Sequence, residues 1–423
     1  MSHGRGAVPA TNASDPLERR RDAASSRWAR RHPWLTGVMT LVVALTPIWW
    51  SLGNALTNRS LGNTLAGRAA EWARDHGARP LVVWAENTWY SRHPPPVGGK
   101  PPPGAIPSAV AGSNSAAATG RAPSPSARPR PNAASIPAHL PAPAPLQPFV
   151  SDPLPGEGQW QPAGRRIGGV PAAYEAFLRP DAVHTSLVAG VAWMDTELLR
   201  ARLYSGSYIP GGGPWQFTAP VSATDATSLV AAFNSGFRMK DAEGGYYSEG
   251  RTVFPLRSGA ASLVIYSDGT ATVGQWGRDV TMTPRVVAVR QNLRLLVDNG
   301  APVPGLNAND THVWGNTVSN RVYVWRSGLG VTSSGALVYV AGPGLNITSL
   351  ANLLVRAGAV RAMELDINTD WVNLATWSPG SPDGSATAGN GKDLLDSMVG
   401  KPDRYFTPSW SRDFVTMSVR AMP

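Results

Sequence analysis

Carboxylates at every second position of an otherwise apolar run are the first sign of chemistry in this chain. The run is "VRAMELDIN", residues 360–368, with Glu364, Asp366 and Asn368 in alternation and Asp370 just beyond. As a strand, it sends those three side chains to one face and Leu365 and Ile367 to the other. Only 16% of the chain is charged, so a carboxylate row on a core-like strand suggests acid–base or electrostatic work. The plain alternative is a solvated strand end with caps and turns. "DINTD", residues 366–370, also fits the first half of a calcium loop, D-x-N-x-D. Position six of such a loop is Gly and position twelve is Glu, whereas Trp371 and Trp377 stand here. That argues against an EF-hand and leaves open another oxygen-rich site for a divalent cation such as calcium.

Two further stretches carry polar side chains where a strand meets a loop. In "VAAFNSGFRMKDAEGGYYSEGRTVF", residues 230–254, an apolar strand runs into Asn234 and Gly236, and Glu249 and Arg251 close the loop. Loops after strands commonly carry sites, although Asn and Gly also serve turns that need positive φ. In "VYVWRSGLGVTSSGALVYV", residues 322–340, Arg326 interrupts a hairpin-like pattern. A buried guanidinium needs an acidic partner or an anionic ligand such as phosphate; an exposed edge-strand Arg needs neither.

Other chemistries are scarce. The chain has no cysteine, which removes disulfides, thiolate zinc sites and a cysteine nucleophile. Beyond residue 150 the only histidines are His184 and His312, and H-E-x-x-H, G-x-S-x-G and G-x-x-x-x-G-K-[ST] are all missing. Carboxylates, amides and arginines are what remain.

The elements that must position them follow from composition. Residues 1–33 form a basic tail expected in the cytoplasm. "WLTGVMTLVVALTPIWWSLG", residues 34–53, is uncharged and long enough for a ~30 Å hydrocarbon layer. Trp34, Trp49 and Trp50 flank it, and Arg19, Arg20, Arg21, Arg27, Arg30 and Arg31 precede it, as an aromatic belt and the positive-inside rule require. An uncleaved single-pass anchor with an extracytoplasmic C-terminal part is expected, rather than a signal peptide, because "WWSLGNAL" offers no small-residue cleavage site. Residues 54–93 predict a juxtamembrane helical segment, with Leu65, Ala69, Trp72 and Ala73 at helical spacing. Residues 94–150, rich in Pro, Ala and Ser, predict a disordered extended linker. Residues 151–423 predict a mixed α+β, sheet-rich domain with few helices. Its clearest helix is "LANLLVRAG", with Thr348 or Ser349 as cap and Gly358 as stop.

Charge separates the same regions. Residues 1–150 hold 16 Lys+Arg against 6 Asp+Glu, and residues 151–423 hold 22 of each. The net +10 is therefore N-terminal, and the neutral C-terminal part lacks the basic footprint of a nucleic-acid reader. High Ala, Pro, Gly and Arg content suggests a bacterial gene.

The order of these motifs resembles the phosphodiester glycosidase family over about residues 185–420. The resemblance rests on "FNSGF" with Asn234, Gly236 and Phe237, then "GAASLVIYSDGTATVG" and "LRLLVDNGAPV". It continues with "WRSGLGVTSSGALVYV" through Arg326 and Gly330, "SLANLLVRAGAVRAM" into "ELD", and "SRDFVTMSV" with Arg412. The family's Asp-Gly-Gly-Gly-Ser loop differs here: its aspartate matches Asp366, but Ile367, Asn368, Thr369 and Asp370 replace the rest. Losing three glycines reshapes a close-approach pocket. The resemblance implies a hydrolase of a sugar phosphodiester, with Asp366 as principal acid/base or nucleophile, Arg326 on the phosphate and Asn234 on the sugar. Glu364, Asn368, Asp370 and Glu249 support them, and Gly236 and Arg412 complete the set. A phosphate ester leaves with little protonation, so one carboxylate plus an arginine could suffice. No particular cofactor is implied, and a divalent cation such as calcium fits the oxygen-rich stretch. The expected partners are a sugar phosphodiester or envelope polysaccharide, and the membrane. The alternatives are a non-catalytic polysaccharide-binding protein in exopolysaccharide or wall assembly, or a scaffold for a protein partner.

Overall fold

Twenty-five residues without a charged side chain, Pro33–Thr57, form helix α1. At 1.5 Å per residue it runs about 38 Å, long and apolar enough to cross a membrane. It is longer than the predicted 34–53 because Asn54 to Thr57 continue the helix. The computed structural model describes residues 32–107, 137–306, 314, 323–380 and 384–421. The arginines preceding α1, His312 and the middle of the proline-rich stretch lie outside the described residues. Contacts divide the chain into two units, residues 1–57 and residues 58–423.

The second unit begins with two helices. Helix α2, Leu65–Asp75, is capped by Thr64, whose hydroxyl accepts from the Gly67 N–H at 2.9 Å. Helix α3 is Arg79–Arg92. The predicted helical segment is therefore present, but the face that α2 buries carries Arg68, Glu71 and Arg74, and Leu65 is 64% exposed. The described parts of residues 94–150 contain no helix or strand and lie along the domain. Gly98 N–H donates to the Val183 carbonyl, Gln161 Nε2 to that of Pro107, and Leu146 N–H to that of Gly158; Ile106 and Leu146 are buried.

Among the described residues, three antiparallel sheets make up most of the rest, as the α+β, sheet-rich expectation requires. The largest has eight strands, in the order Gln161–Ile167, Val170–Leu178, Ala189–Met194, Leu337–Leu345, Val324–Thr332, Ala359–Glu364, Leu295–Asp298, Ala301–Pro302. Alternate residues of this sheet serve two cores. Val338, Val340 and Ala362 pack with the helix Ile347–Arg356. Leu337, Tyr339, Leu329 and Met363 face the layer shared with the two smaller sheets. One of those runs Arg251–Phe254, Tyr246–Ser248, Val286–Gln291, Ala261–Tyr266, Ala271–Gln275. The other runs Gly391–Asp393, Leu374–Trp377, Leu229–Asn234, Phe414–Val419, Leu199–Tyr204.

The predicted helix lies where expected, with a different cap. Asn346 Oδ1 accepts from Ser349 N–H at 2.7 Å, and Ser349 Oγ accepts from Asn346 N–H at 3.0 Å, a reciprocal capping box. The helix approaches the sheet over Gly328, while Gly330 lies against the neighbouring strand Ala359–Glu364. A Cβ at Gly328 would meet the Leu354 side chain at 2.9 Å, and one at Gly330 would meet Ala359 Cβ at 2.6 Å.

Candidate active site

The strand predicted at 360–368 stops at Glu364. Pairing with the neighbouring strand continues a little further, with Leu365 N–H on the Ser327 carbonyl and Ser327 N–H on the Asp366 carbonyl, both at 2.8 Å. The chain then turns, and Asp366 Oδ1 accepts the N–H groups of Ile367 (2.8 Å) and Asn368 (3.0 Å). Asn368 Oδ1 accepts from Asp370 N–H at 2.8 Å. The carboxylate row is thus not a strand face. Short polar side chains here satisfy their own backbone and turn it.

Asp366 meets two other strand ends. Asn234 closes the strand Leu229–Asn234, and its register partner Phe414 opens the next. Asn234, Gly236, Asp366, Trp371, Arg404, Arg412 and Asp413 are among the residues that border one small cavity of about 10 Å³, room for about one water. Burial raises the Asp366 pKa to about 6, against the opposing effect of Arg412 and of the two N–H bonds; the Glu71 carboxylate adds to the rise. A carboxyl group that titrates near neutrality beside a cavity can exchange protons at physiological pH.

The neighbours of Asp366 are held firmly. All four hydrogen-bonding positions of the Asn234 amide are filled within the protein. Its Nδ2 donates to the Ser235 carbonyl and Ser327 Oγ, each at 3.1 Å. Its Oδ1 accepts from Tyr339 OH at 2.7 Å and from Asn373 N–H at 3.1 Å. Gly236 passes close to Arg290, and a Cβ there would come 3.0 Å from the guanidinium carbon. Arg290 in turn pairs with Asp413 at 2.7 Å, both fully buried. Arg412 lies 4.3 Å over the Trp371 ring, and its buried Nη1 has no hydrogen-bond partner among the described residues.

Five predicted residues, Glu249, Arg326, Glu364, Asn368 and Asp370, do not border this cavity. The alternation that sends Met363 into the inter-sheet layer sends Glu364 to the helix-covered face. There Glu364 pairs with Arg326 at 2.5 Å, and Arg326 Nε donates to the Leu345 carbonyl at 2.9 Å. The Arg326 guanidinium is therefore engaged inside the protein. Burial lifts Glu364 to about 7 despite that partner. Glu249 sits at a turn with φ of 51° and accepts from the N–H groups of Gln216 and Phe217, each at 2.9 Å.

Asp370 is tied to the N-terminal helices instead. Its Oδ2 accepts from Thr64 Oγ1 at 3.0 Å, and its carbonyl accepts from Asn63 Nδ2 at 3.1 Å. Beside it, Glu71 of α2 is buried among Arg74 (2.9 Å), Arg238 and Arg412 (3.9 Å). These arginines hold the Glu71 carboxyl below the usual carboxylate range, against its burial. Sequence reasoning passed over Glu71, Arg238, Arg290, Arg404 and Asp413. Arg290 had a signal, since it interrupts the apolar run "VVAVRQ" as Arg326 interrupts its own. Arg238 stands two residues after Gly236, in a loop already under suspicion. Glu71 had none. Among the described residues, no group of three His, Cys, Asp or Glu side chains is placed to hold a metal ion.

The sheet-rich α+β domain thus brings a titratable carboxylate and arginines together at strand ends, an arrangement with the means for acid–base chemistry. Residues 227–366 match the family model described as phosphodiester glycosidase. The match includes Asn234, Gly236, Glu249, Arg326, Glu364 and Asp366 and ends before Asn368, Asp370 and Arg412. No curated protein matches the chain. Among solved structures, the chain is similar to the zebrafish N-acetylglucosamine-1-phosphodiester alpha-N-acetylglucosaminidase catalytic domain, auto-inhibited by pro-peptide. That likeness is 15% identical, covers 62% of this chain and 88% of that one, and has a TM-score of 0.36. A hypothetical protein from Synechocystis is 11% identical over 62% of this chain and 64% of that one, with a TM-score of 0.30.

Proposed function

We propose that this protein is a membrane-anchored extracytoplasmic hydrolase that cleaves a sugar-1-phosphodiester linkage in a cell-envelope glycan or glycoconjugate. Asp366 is its principal catalytic carboxylate. One observation carries this reading: Asp366 is buried beside a cavity that it shares with Arg412, at the end of the stretch that matches the family. In the reaction the bond between C1 and the phosphate oxygen breaks, and its electron pair leaves on the phosphate. Water supplies the oxygen that replaces it. Asp366, ionised above about pH 6, either removes the proton from that water or attacks C1 first. The leaving phosphate is a weak base and needs little protonation, so one carboxylate and a cationic partner meet the requirement.

Asn234, with its amide fully engaged, positions the strand ends. Glu364 and Arg326 form a pair beneath them. Helix α1 serves as the single-pass anchor, with the basic tail on the cytoplasmic side by the positive-inside rule.

The test is release of sugar by the purified full chain from UDP-GlcNAc and related sugar phosphodiesters, with and without calcium. Asp366→Ala should lower release at least about 100-fold while the thermal midpoint stays within a few degrees. Near-normal release by that variant would sink the assignment. A second reading has its own observation: buried Ile367 fills the loop where the family has glycine. A non-catalytic polysaccharide-binding protein would retain envelope glycan in the wild type and in Asp366→Ala without releasing sugar from either.

A further inference from the structure

Tryptophan is highly buried on average, because a large ring left in water forgoes the free energy its burial supplies. Helix α3 leaves two tryptophans in solvent. Trp84 is 63% exposed, Trp89 62% and Leu81 63%. At about 100° per residue these three fall on one side of the helix, within an arc of about 140° that also holds Ala85, Thr88 and Arg92. No carboxylate lies on that arc. Trp89 stacks on His93, with centroids 4.0 Å apart, which orders the ring without hiding it.

The other side of α3 is already used. Arg79 pairs with Asp241 at 2.6 Å, and Glu86 accepts from Arg74 of α2. Tyr90 packs against the buried cluster of Phe237, Val324 and Ile367. A helix fixed in this way cannot turn Leu81, Trp84 and Trp89 inward without breaking those contacts. The exposed face is therefore a property of the folded domain and calls for an occupant.

Its chemistry and its place in the chain indicate which. Two tryptophans and a leucine, with an exposed arginine and no acid, suit a helix lying in the headgroup layer of a bilayer. The chain also brings α3 to one. Helix α1 is long and apolar enough to cross a membrane and ends at Thr57, and only one short turn of helix and α2 come between it and α3.

We propose that the outer face of α3 docks on the membrane surface, with Leu81, Trp84 and Trp89 in the headgroup layer and Arg92 reaching lipid phosphates. The proposal rests on the reading of α1 as an anchor and is independent of the hydrolase reading. The domain is then held against the bilayer along α3 rather than at the end of a tether. The proline-rich stretch follows α3 in the chain, so it does not space the domain from the membrane.

The test uses the absence of cysteine, which allows one fluorescent reporter per molecule. Ala85→Cys, in the middle of the outer face, carries a nitrobenzoxadiazole probe in the full chain. Ser333→Cys carries the same probe as control. It lies in the turn that follows the strand Val324–Thr332, about 30 Å along that strand from the Val324 end where Tyr90 packs. Both proteins are placed in vesicles of phosphatidylcholine with some phosphatidylglycerol. The quencher is phosphatidylcholine with a nitroxide high on its acyl chain. The probe at 85 should lose most of its fluorescence and the probe at 333 almost none. Leu81→Ser, Trp84→Ser and Trp89→Ser together should end the quenching at 85 with an unchanged thermal midpoint, because all three side chains are exposed in the domain. An unquenched probe at 85 in embedded protein overturns the docking and leaves the anchor standing. Quenching that survives the three serines overturns it too. So does efficient disulfide dimer formation by unlabelled Ala85→Cys, which would put a second copy on this face. Release of the wild type from the vesicles by alkaline carbonate overturns the anchor and this proposal with it, while sugar release from soluble substrates still judges the hydrolase.

Discussion

Asp366 and Glu364 stand two residues apart and are both buried, yet their surroundings give them different work. Glu364 is paired with Arg326 on the helix-covered side of the large sheet. Asp366 keeps company with backbone N–H groups at the cavity. The raised pKa of Asp366 has a consequence for stability. Its folded value of about 6 exceeds the ordinary 3.8, so its contribution is fully present below about pH 4 and is lost as pH rises through 6. Asn at this position removes that loss and can still accept the two N–H bonds. Urea midpoints should therefore show Asp366→Asn gaining about 1–3 kcal/mol on the wild type between pH 4 and pH 7. A constant difference across that range would show that the carboxyl group is not held in its protonated form by burial. At this scale the sequence singled out Asp366 and Glu364, because carboxylates in an apolar run are conspicuous. Their different surroundings were not legible in it, because the neighbours that differ come from distant segments.

At the scale of elements, the sequence was read best where local rules decide. The helix Ile347–Arg356 and the hairpin around "TSSG" follow from periodicity and turn residues, and Asn346 rather than Thr348 or Ser349 begins the helix through a local capping box. Gly328 and Gly330 mark a tertiary demand inside one of these strands. Gly330→Val should cost about 1–3 kcal/mol by overpacking against Ala359, measured by chemical denaturation; an unchanged midpoint would mean that the adjacent strand yields freely. Helix α2 shows the opposite limit. Its periodicity was visible, but the apolar positions suggested the wrong inward face. Its charged stripe finds partners in Arg238 and Arg412, more than 160 residues away, and no local rule anticipates them.

For the molecule as a whole, the site exists because strands from two of the sheets end together. The Arg290–Asp413 pair ties a strand of one small sheet to the segment that opens a strand of the other. Asp413→Ala would leave Arg290 buried without its acidic partner and should cost about 3–5 kcal/mol. Thermal denaturation at neutral pH checks this, and a loss below about 1 kcal/mol would show that the Arg290 bonds to the Phe237 and Gln291 carbonyls suffice on their own. The neutral charge balance of residues 151–423 fits an interior in which arginines and carboxylates are largely consumed by one another.

The sequence by itself determined the apolar N-terminal helix, the sheet-rich α+β class and the motif order that resembles the phosphodiester glycosidase family. Each of these depends on composition, period or motif order, which are properties of adjacent residues. Only the tertiary structure decided that Arg326 is bound to Glu364, that Glu249 braces a distant loop, and that Glu71 stands between two arginines beside Asp366. A charged side chain's role depends on which opposite charge reaches it and whether water can, and both are set by packing between segments far apart in the chain.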